Sequence, residues 1–330
     1  MDEKIKDVMA KYDLQVHSMY RVRGAYVFDT NKGQCILREY RGLVKKAETI
    51  QKIKEKIVEQ GNPYIDLYER NKEGKLLTEN CMGTPYVLKH WFCGEDCDLK
   101  NPEHLVLAAE NLAHLHSCMK NCLEQSLPFQ ADTVEDTLVK HNRELRRVRT
   151  YIREKKQRNA FELFFLSLFS EFYQEAEYAE DMLKQVNMSE LYDKVFQEQT
   201  FCHGSYNYHN LIMLPQGVAT MDFEKTHLQL QVLDLYDLAR KLMEKSGWNS
   251  KWLRTLLVRY HQIRPLSQAE KKILKIKLCY PEKFWKITNH YYNRKKSWIS
   301  GKNIEKLQSL QQQKLARQKL IGKLGEIFDF

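Results

Sequence analysis

Hydrophobic positions recur along this chain in two rhythms, and the rhythm changes near residue 90. Over Gln15–Tyr40 apolar and polar residues alternate around Asp29-Thr30-Asn31-Lys32-Gly33, a hairpin signature in which Gly33 supplies the positive φ of a chain reversal. An amphipathic helix precedes it at residues 3–12. Ile50, Ile53, Ile57 and Val58 then repeat at helical spacing through Lys45–Gln60, until Gly61-Asn62-Pro63 ends the pattern. Tyr64–Tyr68 and Leu76–Asn80 read as strands joined by a turn at Asn71-Lys72-Glu73-Gly74, and Tyr86–Trp91 as a last apolar strand. Residues 1–90 therefore predict a small antiparallel sheet of five strands carrying one helix.

Past Gly94 the helical period dominates. Asn101-Pro102 opens a helix running through Leu105, Leu112, Leu115 and His116, and Asp132–Tyr192 reads as almost unbroken helix without a proline. Strand signals return only at Leu211–Leu214 and Val218–Asp222, around the turn Pro215-Gln216-Gly217. Everything after Asp234 is helical again, interrupted near Pro265 and Pro281. Asp234 is placed to cap the helix Leu235–Lys245, or to tether the preceding loop from below. The fold class expected is α+β in two lobes: a sheet lobe at 1–90, and a helical lobe at 91–330 reached through one strand-like hinge.

Composition narrows the classes. A chain of 330 residues, 43% hydrophobic, can bury a substantial core. Lys and Arg exceed Asp and Glu by 53 to 43, which favours an anionic partner, although the excess is spread along the whole length. Its densest run, His141–Arg158, carries eight Lys or Arg against two Glu and reads as the solvated face of a long helix. No nucleic-acid module accompanies it, so a nucleic-acid partner is not expected. The opening Met1-Asp2-Glu3-Lys4-Ile5-Lys6 lacks the apolar core of a signal peptide, and Phe161–Phe169 is too short to span a bilayer, so cytosolic synthesis is expected. Eight cysteines then predict reduced, mostly buried thiols. The C-x3-C pairs Cys93/Cys97 and Cys118/Cys122 lack the compact knuckle of a structural zinc site.

The candidate chemistry lies in His203-Gly204-Ser205-Tyr206-Asn207-Tyr208-His209-Asn210 and, after a short hairpin, Asp222-Phe223-Glu224. An amide oxygen at Asn210 and a carboxylate at Asp222, separated by strand, turn and strand, is the arrangement that holds Mg²⁺ and a nucleotide triphosphate in phosphoryl transfer. Glu224 is a candidate further metal ligand. His203 reads as holding the loop through backbone groups rather than as a chemical participant. At the position of a substrate-deprotonating Asp stands Ser205, whose hydroxyl is no base at neutral pH.

These segments, with Gln231–Lys241, Trp91–Cys97 and Tyr20–Tyr26, resemble the spore coat protein S (CotS) family. That family lies within the aminoglycoside phosphotransferase and choline kinase branch of the protein-kinase-like superfamily. The resemblance implies a bilobal kinase-like fold, metal ligands at Asn210 and Asp222, and the base position at Ser205. It places the nucleotide-gripping lysine of the third strand at Arg38, and nucleotide contacts at Gly24 in the first hairpin and at Leu88 beside the hinge. An acidic partner for Arg38 is expected at Glu48 or Glu55. Arg38 keeps the charge of a lysine but not its flexible point-like ammonium, and a single Gly24 makes a sparse phosphate cradle. The expected function is a spore coat-associated, kinase-like protein, catalytically impaired or inactive, that binds Mg²⁺ and ATP weakly or not at all. The alternative is an active ATP- and Mg²⁺-dependent small-molecule phosphotransferase. Implied partners are other spore coat proteins, and implied localisation is synthesis in the mother cell followed by the spore coat.

Overall fold

The computed structural model describes residues 3–22, 24–123, 132–293 and 301–330; Arg23, within the first hairpin motif, lies outside them. In chain order the elements are α1 Glu3–Ala10, β1 Val16–Val22, β2 Ala25–Thr30, β3 Gly33–Glu39, α2 Val44–Glu59, β4 Tyr68–Glu69, β5 Thr78–Glu79, β6 Pro85–His90, β7 Glu95–Asp96 and α3 Pro102–Cys118. There follow α4 Val134–Glu154, α5 Ala160–Leu183, α6 Met188–Gln197, β8 Phe201–Cys202, β9 Leu211–Leu214, β10 Gly217–Thr220, β11 His227–Leu228, α7 Val232–Ser246, α8 Ser250–Ile263, α9 Gln268–Cys279, α10 Glu282–Asn293, α11 Gly301–Gly322 and α12 Leu324–Ile327. Compactness divides the chain into Met1–Phe129 with Lys194–Leu238, and Gln130–Asp193 with Ala239–Phe330.

The first unit carries an antiparallel sheet in the order β1-β2-β3-β6-β4, with β5 also paired to β6. It has six strands where five were expected, because the alternating run at its start folds as two successive hairpins. Gly24 turns the first at φ +81° and Gly33 the second at φ +98°, conformations that a side chain would strain. Register assigns side chains to faces: Leu37 pairs with Leu88, while Ile36 pairs with Lys89 and Arg38 with Val87. Leu37 and Leu88 pack with Ile5, Val8, Met9, Tyr12, Phe28 and Cys35 on the face covered by α1. The other face carries Ile36, Arg38, Val87 and Lys89, since successive strand residues alternate sides. Helix α2 buries Ile50, Ile53 and Ile57, as its spacing predicts, and also Lys54, which falls on the same stripe.

Two shorter sheets complete this unit. β7 pairs with β9 and β9 with β10, so the hinge segment takes part in a small sheet of its own, and β8 pairs with β11. Gly94 makes the first arrangement fit, for a Cβ there would press into the Met213 carbonyl and lie 2.7 Å from Ile212 Cγ2. The expected strand through Asp222 ends at Thr220, and Asp222 turns into the left-handed region at φ 67°. Helix α3 starts as read: Pro102 opens it and the Asn101 side chain accepts the Glu103 N–H at 2.9 Å.

In the second unit the expected single helical run is broken into α4, α5 and the start of α6. The break before α5 is a capping box in which Asn159 and Glu162 each accept the other's backbone N–H. The phenylalanine-rich stretch supplies Phe161, Phe165, Phe169 and Phe172 to a core shared with Leu145, Phe284 and Ile287. Phe284 stacks on both Phe165 and Phe172, at 5.2 and 4.9 Å between ring centroids. Leu145 and Ile152 anchor α4 while Arg143, Arg146, Arg147, Arg149 and Arg153 face solvent.

All eight cysteines are free thiols, but only Cys35, Cys97, Cys202 and Cys279 are buried; Cys81 and Cys93 are exposed. Among the described residues no helix is long and apolar enough to cross a membrane. Leu88→Ala is expected to cost about 2–5 kcal/mol, the range for emptying a packed leucine site, read by chemical denaturation.

Candidate functional site

The loop 203–210 is held from beneath. Of the two roles expected of Asp234, the structure shows the tether rather than the cap: α7 already begins at Val232, and the buried Asp234 carboxylate turns back to the loop. It accepts the backbone N–H of His203 at 2.6 Å and of Gly204 at 2.9 Å, and meets His116 Nε2 at 3.2 Å. Burial opposes ionisation of Asp234, but its bond and charge interaction with His116 outweigh burial and hold its pKa below the usual range. His203 is fully buried and its ring serves the backbone: Nε2 donates to the Met221 carbonyl at 3.0 Å and Nδ1 accepts the Ser205 N–H at 3.2 Å. Burial depresses its pKa, so the ring is the neutral Nε2–H tautomer. Gly204, at φ +73°, admits the Lys225 carbonyl where a Cβ would collide with it.

Within that frame Asn210 is oriented by its own amide. Its Nδ2 donates to the Ser205 carbonyl at 2.9 Å and to Ser205 Oγ at 3.2 Å. Only a nitrogen can donate to a carbonyl, so Oδ1 is the atom left without a partner among the described residues. The Met221 N–H binds the Asn210 carbonyl at 3.0 Å, which sets Asp222 beside the loop. Asn210, Asp222, Glu224 and Ser205 line one cleft of about 690 Å³, together with Arg38, Glu39, Arg41, Lys46, Val87, Lys89 and Lys225.

The floor of this cleft is a cluster of buried charges whose central members the motif reading did not include. Lys89, on β6 and 1% exposed, lies 2.9 Å from Asp222 Oδ1, in direct contact with Glu224, and 3.5 Å from Asp66 Oδ2. Lys54, from α2, meets Asp66 Oδ1 at 2.8 Å and the Asp66 carbonyl at 2.7 Å, with its ammonium 3.8 Å from the centre of the Tyr68 ring. Asp66 Oδ2 also accepts the Asp222 N–H at 2.9 Å, and the Tyr68 hydroxyl donates to Glu224 at 3.3 Å. Burial works against the charge on Lys89, yet Asp66, Glu224 and Asp222 raise its pKa above that of a free lysine. Burial lowers Lys54, with Asp66 opposing. Burial likewise opposes the charge on Glu224, but Lys89 and Lys54 prevail and bring its pKa down to about 2.

Three sequence expectations are corrected here. Glu48 does not meet Arg38: it forms a two-point bridge to Arg70 at 2.9 and 3.2 Å, and Glu55 accepts from the Gln51 amide at 2.8 Å. Arg38 lines the cleft with no side-chain partner among the described residues. Leu88 points under α1 and away from the cleft, because strand parity gives that side to Val87 and Lys89. Gly24 sits in the β1–β2 turn and is not among the residues lining the cleft. The missed residues left a legible trace: Lys89 interrupts an apolar strand, and Lys54 occupies the stripe of Ile50, Ile53 and Ile57.

The donors fit a divalent cation poorly. Two ammoniums already face the three carboxylates of Asp66, Asp222 and Glu224. A dication beside Lys89 would meet a repulsion of about 4 kcal/mol per pair of unit charges at about 4 Å, for an effective dielectric near 20. Among the described residues no group of three or more His, Cys, Asp or Glu side chains is disposed to hold a metal ion.

Comparison with known proteins places this geometry. The family model for the spore coat putative kinase YutH matches residues 5–324. The chain belongs to that family. A stretch of 97 residues is 31% identical to spore coat protein S of Bacillus subtilis strain 168, covering 29% of this chain and 28% of that protein, so the chain aligns with under a third of its curated relative. An aminoglycoside phosphotransferase from Alicyclobacillus acidocaldarius superposes with a TM-score of 0.85 over 97% of this chain and 95% of that one, at 19% identity. Spectinomycin phosphotransferase, in complex with ADP and spectinomycin, gives 0.67 at 13% identity, over 94% and 93% of the two chains. These likenesses establish the kinase-like α+β fold of the YutH family chain.

Asp234→Ala would orphan two buried backbone donors and is expected to cost about 3 kcal/mol or more, read as a lowered denaturation midpoint. Glu224, with its folded pKa depressed, contributes stability that is present above the unfolded carboxylate range and is lost as pH falls towards about 2. Denaturation between pH 5 and 2, as an approximate window, should therefore show falling stability, with a shallower slope in Glu224→Gln.

Proposed function

We propose that this YutH family chain serves the spore coat as a kinase-like scaffold whose cleft does not perform efficient phosphoryl transfer. The observation carrying the reading is the state of Ser205, Asp222 and Glu224, the groups of the two motifs that face the cleft. Ser205 occupies the base position with its Oγ accepting from Asn210. The carboxylates lining the cleft are Glu39, Asp222 and Glu224. Asp222 is engaged by Lys89, and Glu224, with a pKa of about 2, has little affinity for a proton at neutral pH. In this reading the sheet lobe 1–90 and the helical lobe 91–330 are an inherited framework, the partners are other coat proteins, and Mg²⁺-dependent ATP binding is weak or absent.

One observation favours the alternative of an active small-molecule phosphotransferase. Asn210 and Asp222 line the same cleft, and Asp222 retains the left-handed backbone that local side-chain sterics disfavour. Phosphoryl transfer rests mainly on positioning and charge, so losing a base need cost only ~10²–10⁴-fold.

Turnover of ATP by the unaltered chain, in the presence of candidate hydroxyl substrates, is expected to stay at background, and sustained turnover would reject the scaffold reading. Ser205→Asp is expected to raise turnover if the loss of the base alone limits the site. Adding Mg²⁺ should enlarge the thermal shift by ATP little, and a large Mg²⁺-dependent shift abolished by Asp222→Ala would favour the enzyme.

A further inference from the structure

Lys89 sets a fixed positive charge against Asp222 and Glu224, two of the three residues expected as metal ligands. It is 1% exposed, touches the partly exposed carboxylates of Asp222 and Glu224, and lies 3.5 Å from the buried Asp66, so moving it aside would leave a buried ammonium without three carboxylate neighbours. Above this floor of two ammoniums and three carboxylates the rest of the lining is basic: besides Lys89, Asp222 and Glu224 it carries four lysine or arginine side chains against the one carboxylate of Glu39. Among the described residues Arg38 has no side-chain partner and Arg41 meets only the exposed Glu39, at 3.1 Å; Lys225 is exposed. Gly42 and, in the first turn of α2, Lys46 also line the cleft, with the Lys46 N–H bonded to the Leu43 carbonyl at 3.0 Å.

We propose that this cleft binds the phosphate chain of a polyphosphate ligand without a divalent cation, the Lys89 ammonium serving in the cation's stead. Arg38 and Arg41 are the principal contacts, since a guanidinium fork matches two phosphate oxygens at once, and Lys225 supplies a further charge. Nothing is transferred: the ligand is held and released. The inference rests on the reading that the cleft is not a metal-dependent transferase, and it names what that cleft holds instead. It also sets an order of preference: the free tetra-anion of ATP binds at least as well as its magnesium complex, whose charge is partly cancelled before it arrives.

The test is isothermal titration of the full-length chain with inorganic tripolyphosphate and, separately, with ATP, each in EDTA and then in excess MgCl₂. Binding of at least one probe in EDTA, unchanged or weakened by Mg²⁺, is expected. Absence of binding by both in EDTA, or a gain of about tenfold or more on adding Mg²⁺, overturns the proposal. Tighter binding of ATP than of tripolyphosphate identifies a nucleoside polyphosphate; equal binding identifies the phosphate chain as the whole ligand. Arg38→Glu, at an unpartnered site, should fold normally and weaken binding by about 10–100-fold, the loss expected for a charge-assisted bond. An unaltered Kd in that variant also overturns it. Failure here is separable from failure of the scaffold reading: Mg²⁺-dependent binding without turnover removes only this inference, whereas turnover removes the scaffold reading whatever the Kd.

Discussion

Asp66 is the group on which the arrangement of the cleft depends. One buried carboxylate meets Lys54 from α2, Lys89 from β6 and the backbone N–H of Asp222 after β10. Helix, sheet and hairpin are thereby registered to each other by charge as well as by apolar packing. Buried ion pairs contribute little net stability over well-packed hydrophobic residues, but removing one member leaves an uncompensated charge, so such clusters resist piecemeal change. The geometry of Asp222 and Glu224 is thus dictated from below, by residues that touch no ligand.

Much of this fold was legible because it rests on local periodicity. The hairpin through Gly33, the stripe of α2, the Asn101-Pro102 start of α3 and the β9–β10 hairpin follow from spacing and turn chemistry alone. Asn210 and Asp222 could be set in one cleft because the strand, turn and strand between them fix their separation. What escaped was decided by parity and by long-range charge. Leu88 and Lys89 are neighbours in sequence and lie on opposite faces of β6, and naming the wrong one follows from knowing a position along a strand but not its pleat. Glu48 was as plausible a partner for Arg38 as Glu55; the structure gives it to Arg70, 22 residues on. The break between α4 and α5 was written in Asn159 and Glu162, a capping signal outweighed by the absence of proline.

Membership of a spore coat family and a phosphotransferase fold coexist here without contradiction, because a fold does not fix an activity. The loop that would carry the chemistry is held by Asp234 and His203, and none of these bonds uses the side chain at 205. Architecture and reactivity are therefore separable in this molecule: the side chain that would act as a base can change while the loop keeps its shape.

Gly94 shows where such tolerance ends. The hinge backbone passes so close to the Met213 carbonyl that even a methyl group would wedge β7 from β9. That hairpin carries Asn210 at one end and leads into Asp222 at the other, so a single carbon added at this distant glycine would displace both groups of the cleft at once.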